Sequence, residues 1–224
     1  MVISVAALPH APATAEPIVT PVECPRHNPQ VQDGSVYPQD YYYLTLTVPH
    51  KAYLLKSLDP DESAADQTSA INETVLDMTG DLEYASSFRD DLTSPDHLNV
   101  SSSVVKNAKL EPVLREYVDW LGDNTNLGWY LWSISRLPCI YGWAEIAYQL
   151  NQSSTTVRDS KFFDEWISPN LEWRYGAKLS VELQEVLIAN NNTETFAVAN
   201  GLFRKALEYE TAFFESALGK VPQK

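Results

Sequence analysis

From residue 37 to residue 218, apolar residues recur at intervals of three and four, and no sustained run alternates apolar with polar residues. The first pattern places apolar side chains on one face of an α-helix, whereas alternation would indicate a β-strand. Turn-forming residues and prolines divide the stretch, so we predict an all-α bundle of about seven helices. The predicted helices cover 37–58, 62–88, 101–122, 126–151, 155–167, 171–190 and 194–218.

The first 34 residues have a different character, because they contain six prolines. Proline at this density is incompatible with a regular helix. We therefore predict a Pro-rich arm over 1–34 and one helical domain over 35–224. The arm lacks the basic start and the apolar run of a secretory signal, so we expect a cytoplasmic protein.

The charge of the chain restricts its partners. Thirty acidic residues against sixteen Lys and Arg give a net charge of −14. This balance argues against a protein that tracks nucleic-acid phosphates or anionic membranes. No apolar run approaches the ~20 residues that a membrane span needs. We expect a small-molecule substrate instead.

The cysteines and histidines predict neither a disulfide scaffold nor a metal site. Cys24 lies in the arm and Cys139 in a helix, so their settings differ. No histidine has the Glu-x-x-His spacing of di-iron bundles, and none stands out as a heme ligand. We expect no metal and no cofactor.

A carboxylate interrupts the apolar face of the last helix. Glu210 lies in the middle of that face, which consists of Ala199, Phe203, Ala206, Leu207, Phe213, Phe214 and Ala217. A buried carboxylate is costly unless it is paired or protonated, and burial raises its pKa. Glu210 is thus either a general acid/base candidate or the partner of an Arg on a neighbouring helix.

The sequence "RLPCIYGWAEIAYQL" contains a cysteine next to a proline. Pro138 removes a backbone donor and frees the carbonyl near Ile134, which predicts a kink there. Cys139 lies on one face with Trp132, Ser135, Trp143, Ile146 and Leu150. A buried free cysteine is often a core residue, but at a kink near a base it can become a nucleophile.

Two further segments carry polar candidates. Asp40 and Tyr43 share a helix face in "YPQDYYYL" and could hold and stack against a ligand. Alternatively, Pro38 begins the helix, and Asp40 merely favours the dipole in its first turn. Tyr117 has apolar neighbours at helical spacing, so its ring should pack while only its hydroxyl can reach a ligand.

Five segments in the same order resemble the TenA/thiaminase II family over about residues 36–218. They are "QDYYYL", "REYVDWL", "LPCIYGWAEIAYQL", "DEWISP" and "ALEYETAFFESAL". The resemblance implies a heme-oxygenase-like fold without heme and a cleft for a 4-amino-5-substituted-methylpyrimidine. It also implies a homo-oligomer, dimer or tetramer.

The resemblance assigns roles to the candidate residues. Cys139 becomes the nucleophile that attacks the pyrimidine, and Glu210 the acid/base near it. Asp40 would hold the amino group and a ring nitrogen, Tyr43 would stack, and Tyr117 would orient the ring. The implied activity is cofactor-free hydrolysis of a C–N bond in thiamine or an aminopyrimidine breakdown product.

Three departures from the family pattern keep alternatives open. Trp143, which we predict to line the substrate site, replaces the usual tyrosine; Asn170 replaces a second tyrosine. The arm also stands where the family has a full helix. The site could therefore act on a different, larger metabolite, for example in secondary metabolism, or the chain could be a non-catalytic binding protein.

Overall fold

The computed structural model describes residues 37–58, 61, 63–171, 174–190 and 193–217. The predicted arm, with Cys24, lies outside this part of the chain. The described residues form helices and no strand, which confirms the all-α prediction. Seven helices have ten or more residues: α1 (Tyr37–Leu54), α2 (Ala64–Thr93), α4 (Pro112–Asp123), α5 (Gly128–Leu137), α6 (Trp143–Gln152), α8 (Arg174–Asn190) and α9 (Thr193–Ala217). Two are short: α3 (Ser102–Asn107) and α7 (Ser168–Asn170).

Helices α1 and α2 pack against each other along their lengths. Ser63 begins α2 because its side chain accepts a hydrogen bond from the Asp66 N–H, 3.2 Å away. The buried ammonium group of Lys51 on α1 lies 2.6 Å from Asp77 and 2.7 Å from Asp81 on α2. These ion pairs join the two helices, and α1 continues through Pro49 to Leu54.

Helices α4, α5 and α9 enclose the core with α1. Pro112 is at the start of α4, where the missing N–H costs nothing. Four residues at helical spacing are buried on α4: Leu114, Tyr117, Val118 and Leu121. Helix α9 packs against α5 and α4, and α1 packs against α4. The core cluster therefore lies where α1, α4 and α9 meet.

A proline divides one of the predicted helices, and a polar loop shortens another. The segment 101–122 is two helices, α3 and α4, because Pro112 can begin a helix but cannot continue one. The prediction of a helix over 155–167 is wrong for its first half: residues 153–160 form turns and bends, held by the Thr156 hydroxyl on the Leu150 carbonyl. A π-helical segment, π2 (Phe163–Ile167), follows and leads into α7.

The predicted kink at Pro138 is a second π-helical segment, π1 (Pro138–Gly142), between α5 and α6. A π turn contains one more residue than an α turn, so it rotates the following helix. The buried face of α6 accordingly runs through Ala144 and Ala147. The prediction that Ile146 shares the face of Cys139 is wrong, because this side chain is 42% exposed.

Candidate active site

Segment π1 places Cys139 at the edge of the core. The cysteine is a free thiol, half-buried as a residue, and it packs against the core cluster that contains Tyr43, Tyr117 and Phe213. Helices α8 and α9 both contact π1. Because π segments open the regular backbone ladder and often mark functional sites, the interruption makes this part of the bundle a candidate site.

Helix α1 contributes Tyr43 to this cluster and Asp40 beside it; both are buried, and Asp40 is close enough to Glu210 and Cys139 for their charges to interact. Asp40 is in the first turn of α1, as the alternative interpretation required, but it is not a solvent-exposed residue of that turn. Gln39 fixes the start of the helix. Its side-chain amide donates to the Lys109 carbonyl at 2.8 Å, and its oxygen accepts from the Glu111 N–H at 2.9 Å.

Helix α9 contributes Glu210, which is buried between Ala206 and Phe213. The indole N–H of Trp143 donates to Glu210 Oε2 at 3.2 Å. The partner found is therefore an indole and not the arginine of the alternative interpretation. Leu207, predicted on the same face, is 43% exposed because it lies one position beyond the face that runs through Ala206, Glu210 and Phe213.

Tyrosine rings form one wall of the site. The rings of Tyr43 and Tyr117 are 5.6 Å apart between centroids, and Tyr117 stacks on Tyr209 at 5.1 Å with an interplanar angle of 10°. Among the described residues, the buried hydroxyls of Tyr43 and Tyr117 make no hydrogen bond of ordinary geometry, although Tyr117 interacts with Glu210 and Tyr43 with the Cys139 thiol. Such hydroxyls are costly in a dry core, so a bound polar ligand would stabilise this arrangement.

Burial dominates the electrostatics of the site. It raises the pKa of the Cys139 thiol well above its usual range, and the charge of Glu210 raises it further. It also raises the pKa of Asp40 far above that of an ordinary carboxyl group, again with a contribution from Glu210. Burial raises the pKa of Glu210 too, but interactions with Trp143, Tyr117 and the thiol oppose it.

One cation opposes these effects. The guanidinium of Arg136, one turn before Cys139, lies 4.5 Å from the ring centroid of Trp132. Its charge lowers the pKa of both the Cys139 thiol and the Tyr43 hydroxyl. The sequence analysis missed Arg136 and Gln39, although Arg136 is in the cysteine motif itself and Gln39 directly precedes Asp40.

Asn170 has a local role in the structure. Its side-chain amide donates to the Trp166 carbonyl at 2.7 Å, within the end of π2 and α7. Trp166 in turn contacts Trp143, with ring centroids 5.8 Å apart. Asn170 thus holds the backbone next to Trp166. Trp143 contacts both Trp166 and Glu210.

Other features of the described chain lie away from this site. A surface pocket of about 420 Å³ is lined by Tyr41, Tyr42, Arg89, Thr93, Ser102, Val105 and Lys106. None of the predicted site residues lines it. Within the described ranges, no group of three His, Cys, Asp or Glu side chains could hold a metal ion. No described helix is both long and apolar enough to span a bilayer.

Fold and site together define an all-α bundle protein with a cysteine, two carboxyl groups and tyrosines gathered in its core. The chain belongs to the TENA/THI-4/PQQC family, whose model matches residues 38–220. This match confirms the resemblance found in the five segments and the heme-oxygenase-like fold that it implied. A search of curated proteins found no match.

Proposed function

We propose that the protein is a cofactor-free hydrolase that cleaves a C–N bond at the exocyclic methylene carbon of an aminopyrimidine, with Cys139 as nucleophile. One observation supports the proposal: Cys139 packs against the core cluster that contains Tyr43 and Tyr117, close enough to Glu210 and Asp40 for both charges to act on its thiol. A thiol and two carboxyl groups from three parts of the chain thus lie near one another, and covalent catalysis needs a nucleophile beside an acid/base.

The state of Asp40 suits an aminopyrimidine. Because its pKa is raised by burial and by Glu210, the carboxyl group is protonated over a wider pH range than usual. A protonated carboxyl offers one donor and one acceptor side by side. The edge of a 4-aminopyrimidine offers the complement, a ring nitrogen that accepts and an amino group that donates. Tyr43 and Tyr117 supply ring faces at the same place, and their hydroxyls lie beside the Cys139 thiol and Glu210.

In the proposed reaction the Cys139 sulfur bonds to a ring carbon of the pyrimidine, and its proton passes to Glu210. Asp40 lends a proton to the ring nitrogen that receives the electron pair. The ring then expels the substituent: the bond between the methylene carbon and the leaving nitrogen breaks, and Glu210 protonates that nitrogen when it leaves as an amine. In thiamine the leaving nitrogen takes the electron pair and departs as neutral thiazole, and Glu210 releases its proton to solvent. Asp40 recovers its proton.

Water completes the reaction. Its oxygen bonds to the methylene carbon, and its proton goes to Glu210. Asp40 again donates its proton to the ring nitrogen. The carbon–sulfur bond then breaks, the sulfur regains a proton from Glu210, and Asp40 is restored. The net change is one C–N bond exchanged for a C–O bond, with one water consumed and no redox change.

Our first prediction tests this assignment by turnover of thiamine and of 4-amino-5-aminomethyl-2-methylpyrimidine. We expect Cys139→Ala to abolish turnover, since no other group forms the bond to the ring. Glu210→Gln should lower kcat by roughly 10²–10⁴-fold, the usual contribution of a general acid/base. Product formation by liquid chromatography is the measurement. Cys24→Ala serves as the matched cysteine control and should keep full activity.

The outcomes separate the candidates. Turnover that survives Cys139→Ala contradicts the nucleophile assignment. A wild-type protein that hydrolyses neither compound contradicts the aminopyrimidine substrate. Binding of either compound without turnover would instead favour the non-catalytic alternative.

A second candidate function is hydrolysis of a different, larger aromatic metabolite by the same residues. The observation that favours it is Trp143, which is bonded to Glu210 where the family pattern has a tyrosine. The test is a thermal-shift comparison of aminopyrimidines with bicyclic aromatic amines, followed by turnover of any that bind. Stabilisation by the aminopyrimidines alone would exclude this candidate.

A further inference from the structure

The hydrogen bond between Trp143 and Glu210 joins two segments that are 67 residues apart. Trp143 is the first residue of α6, directly after π1, and Glu210 is in the C-terminal half of α9. The donor is the indole Nε1–H and the acceptor is Glu210 Oε2 at 3.2 Å. Trp143 therefore contacts the candidate acid/base directly.

Packing holds the indole in this orientation. Its ring lies 5.8 Å from Trp166 and 6.2 Å from Phe214, measured between centroids, and both contacts are tilted. Trp166 is buried in the second core cluster with Ala147 and Ile167. The indole consequently cannot turn away from Glu210 without leaving this aromatic wall.

The chemistry of an indole makes the bond one-directional. An indole N–H can donate but cannot accept, whereas a phenol can do both. A tyrosine here could donate to an ionised glutamate or accept from a protonated one. Tryptophan can only donate, and its hydrogen bond is strongest to an oxygen that carries no proton.

We propose that Trp143 is a positioning residue that keeps Glu210 Oε2 unprotonated as an acceptor and confines the exchangeable proton of this carboxyl group to Oε1. Oε1 is then the oxygen that takes the proton of the thiol or of water and returns it. The catalytic consequence rests on the proposed function, but the hydrogen bond and its effect on Glu210 do not.

Several groups face Glu210 from the elements packed around it. They are Asp40 and Tyr43 on α1, Tyr117 on α4 and Cys139 in π1, whereas the charge of Arg136 on α5 acts on Cys139 and Tyr43. None of these is changed by a substitution of Trp143. Burial raises the pKa of Glu210, and the bond from Trp143 opposes this rise.

The second prediction follows from the direction in which this hydrogen bond changes the pKa of Glu210. Loss of the indole donor in Trp143→Phe should raise the pKa of Glu210, because the ionised form loses a hydrogen bond. The measurement is a ¹³C NMR titration of side-chain carboxyl carbons, with the Glu210 signal assigned by its absence in Glu210→Gln. We expect the midpoint to move upward by about one pH unit, the shift produced by one hydrogen bond to a charged group.

Trp166→Phe is the matched control, since this indole packs on Trp143 but does not bond to Glu210. The Glu210 midpoint of Trp166→Phe should stay at the wild-type value. In Trp143→Tyr the midpoint should return most of the way to the wild-type value, because a phenol also donates a hydrogen bond. An unchanged midpoint in a folded Trp143→Phe protein would overturn the proposal, and so would an equal shift in Trp166→Phe.

A measurement on the wild-type protein tests the same bond without relying on a variant that must fold. The indole ¹H–¹⁵N signal of Trp143 should move with the titration of Glu210, whereas that of Trp166 should not. A Trp143 signal that ignores the ionisation of Glu210 contradicts the proposal. Both NMR tests are independent of turnover, so a failure of the proposed hydrolase activity would leave their result readable.

Discussion

The thiol of Cys139 is held between opposing influences. Burial and the charge of Glu210 favour its neutral form, whereas Arg136 and the Tyr43 hydroxyl favour the thiolate. The first pair prevails, so the thiol is protonated at neutral pH. A cysteine in this state reacts only when a base accepts its proton during the attack, which is the role proposed for Glu210.

The third prediction concerns the pH dependence of Cys139 alkylation by iodoacetamide. The thiolate is the reacting form, so the rate in the free protein should be low at pH 7 and rise only well above the usual thiol pKa. Glu210→Gln removes a negative charge and should lower the pH at which the rate rises. Arg136→Met removes a positive charge and should raise it.

All variants carry Cys24→Ser so that one thiol remains, and mass spectrometry of the Cys139 peptide gives the rate. Glu208→Gln is the control, because this glutamate is close in sequence but its side chain is exposed and paired with Lys205. Shifts of equal sign in Glu210→Gln and Arg136→Met would contradict the electrostatic account of the site.

Residue spacing predicted only part of this site. Glu210 and Tyr117 could be placed in the core because their helical neighbours are apolar and a helix face follows from the 3.6-residue period. The bond from Trp143 to Glu210 could not be predicted, because it depends on how α6 meets α9. Arg136 was missed because a single arginine near a helix end looks like a solvent-exposed residue.

At the scale of the elements, the π turn at Pro138 has the largest effect. The Pro138 break was predictable from the sequence, but the extra residue in the turn was not. That residue moves the buried face of α6 from Ile146 to Ala147. Side-chain periods are reliable within one helix, and they fail across an interruption whose length the sequence does not specify.

The α1–α2 pair depends on a buried lysine. Only 3% of the Lys51 side chain is exposed, against 50% for Asp77 and 29% for Asp81. Burial therefore removes more water from the ammonium group than from the carboxylates, and the two carboxylates together offset this desolvation cost. A single carboxylate should be enough to hold the ammonium group, whereas losing both leaves a buried charge alone.

The fourth prediction is a double-mutant cycle on Asp77 and Asp81. Asp77→Asn or Asp81→Asn alone should each cost about 1 kcal/mol of unfolding free energy, as for a partly exposed pair. The double variant Asp77→Asn/Asp81→Asn should cost about 3–5 kcal/mol, more than the sum of the single changes. Urea unfolding followed by circular dichroism gives these values.

Asp90→Asn is the control on the same helix, because Asp90 pairs with Arg89 at the exposed surface and should contribute at most ~1 kcal/mol. Additive effects at Asp77 and Asp81 would show that Lys51 does not depend on the two carboxylates jointly.

At the scale of the whole molecule, α2 has an exposed apolar stripe along one edge of its buried face. Ile71, Val75 and Leu82 are spaced by four and seven residues, so they lie on one side of the helix, and their exposed fractions are 42%, 52% and 49%. The sequence predicted apolar residues along this helix, but it did not show that only some of them face α1. A stripe of this kind beside a buried face is typical of a contact between protein chains.

The fifth prediction is that this stripe meets a second copy of the chain, in line with the homo-oligomer implied by the family resemblance. We expect light scattering after size exclusion to give a dimer or tetramer for the wild type. Val75→Glu should shift the mass toward the monomer, because a symmetric contact places the introduced carboxylate against the partner's apolar stripe.

Ser87→Glu adds the same charge at an exposed position on the far side of α2 and should leave the mass unchanged. Far-UV circular dichroism of both variants checks that the bundle is intact. A monomeric wild type, or an equal effect of the two substitutions, would show that the stripe is not the contact.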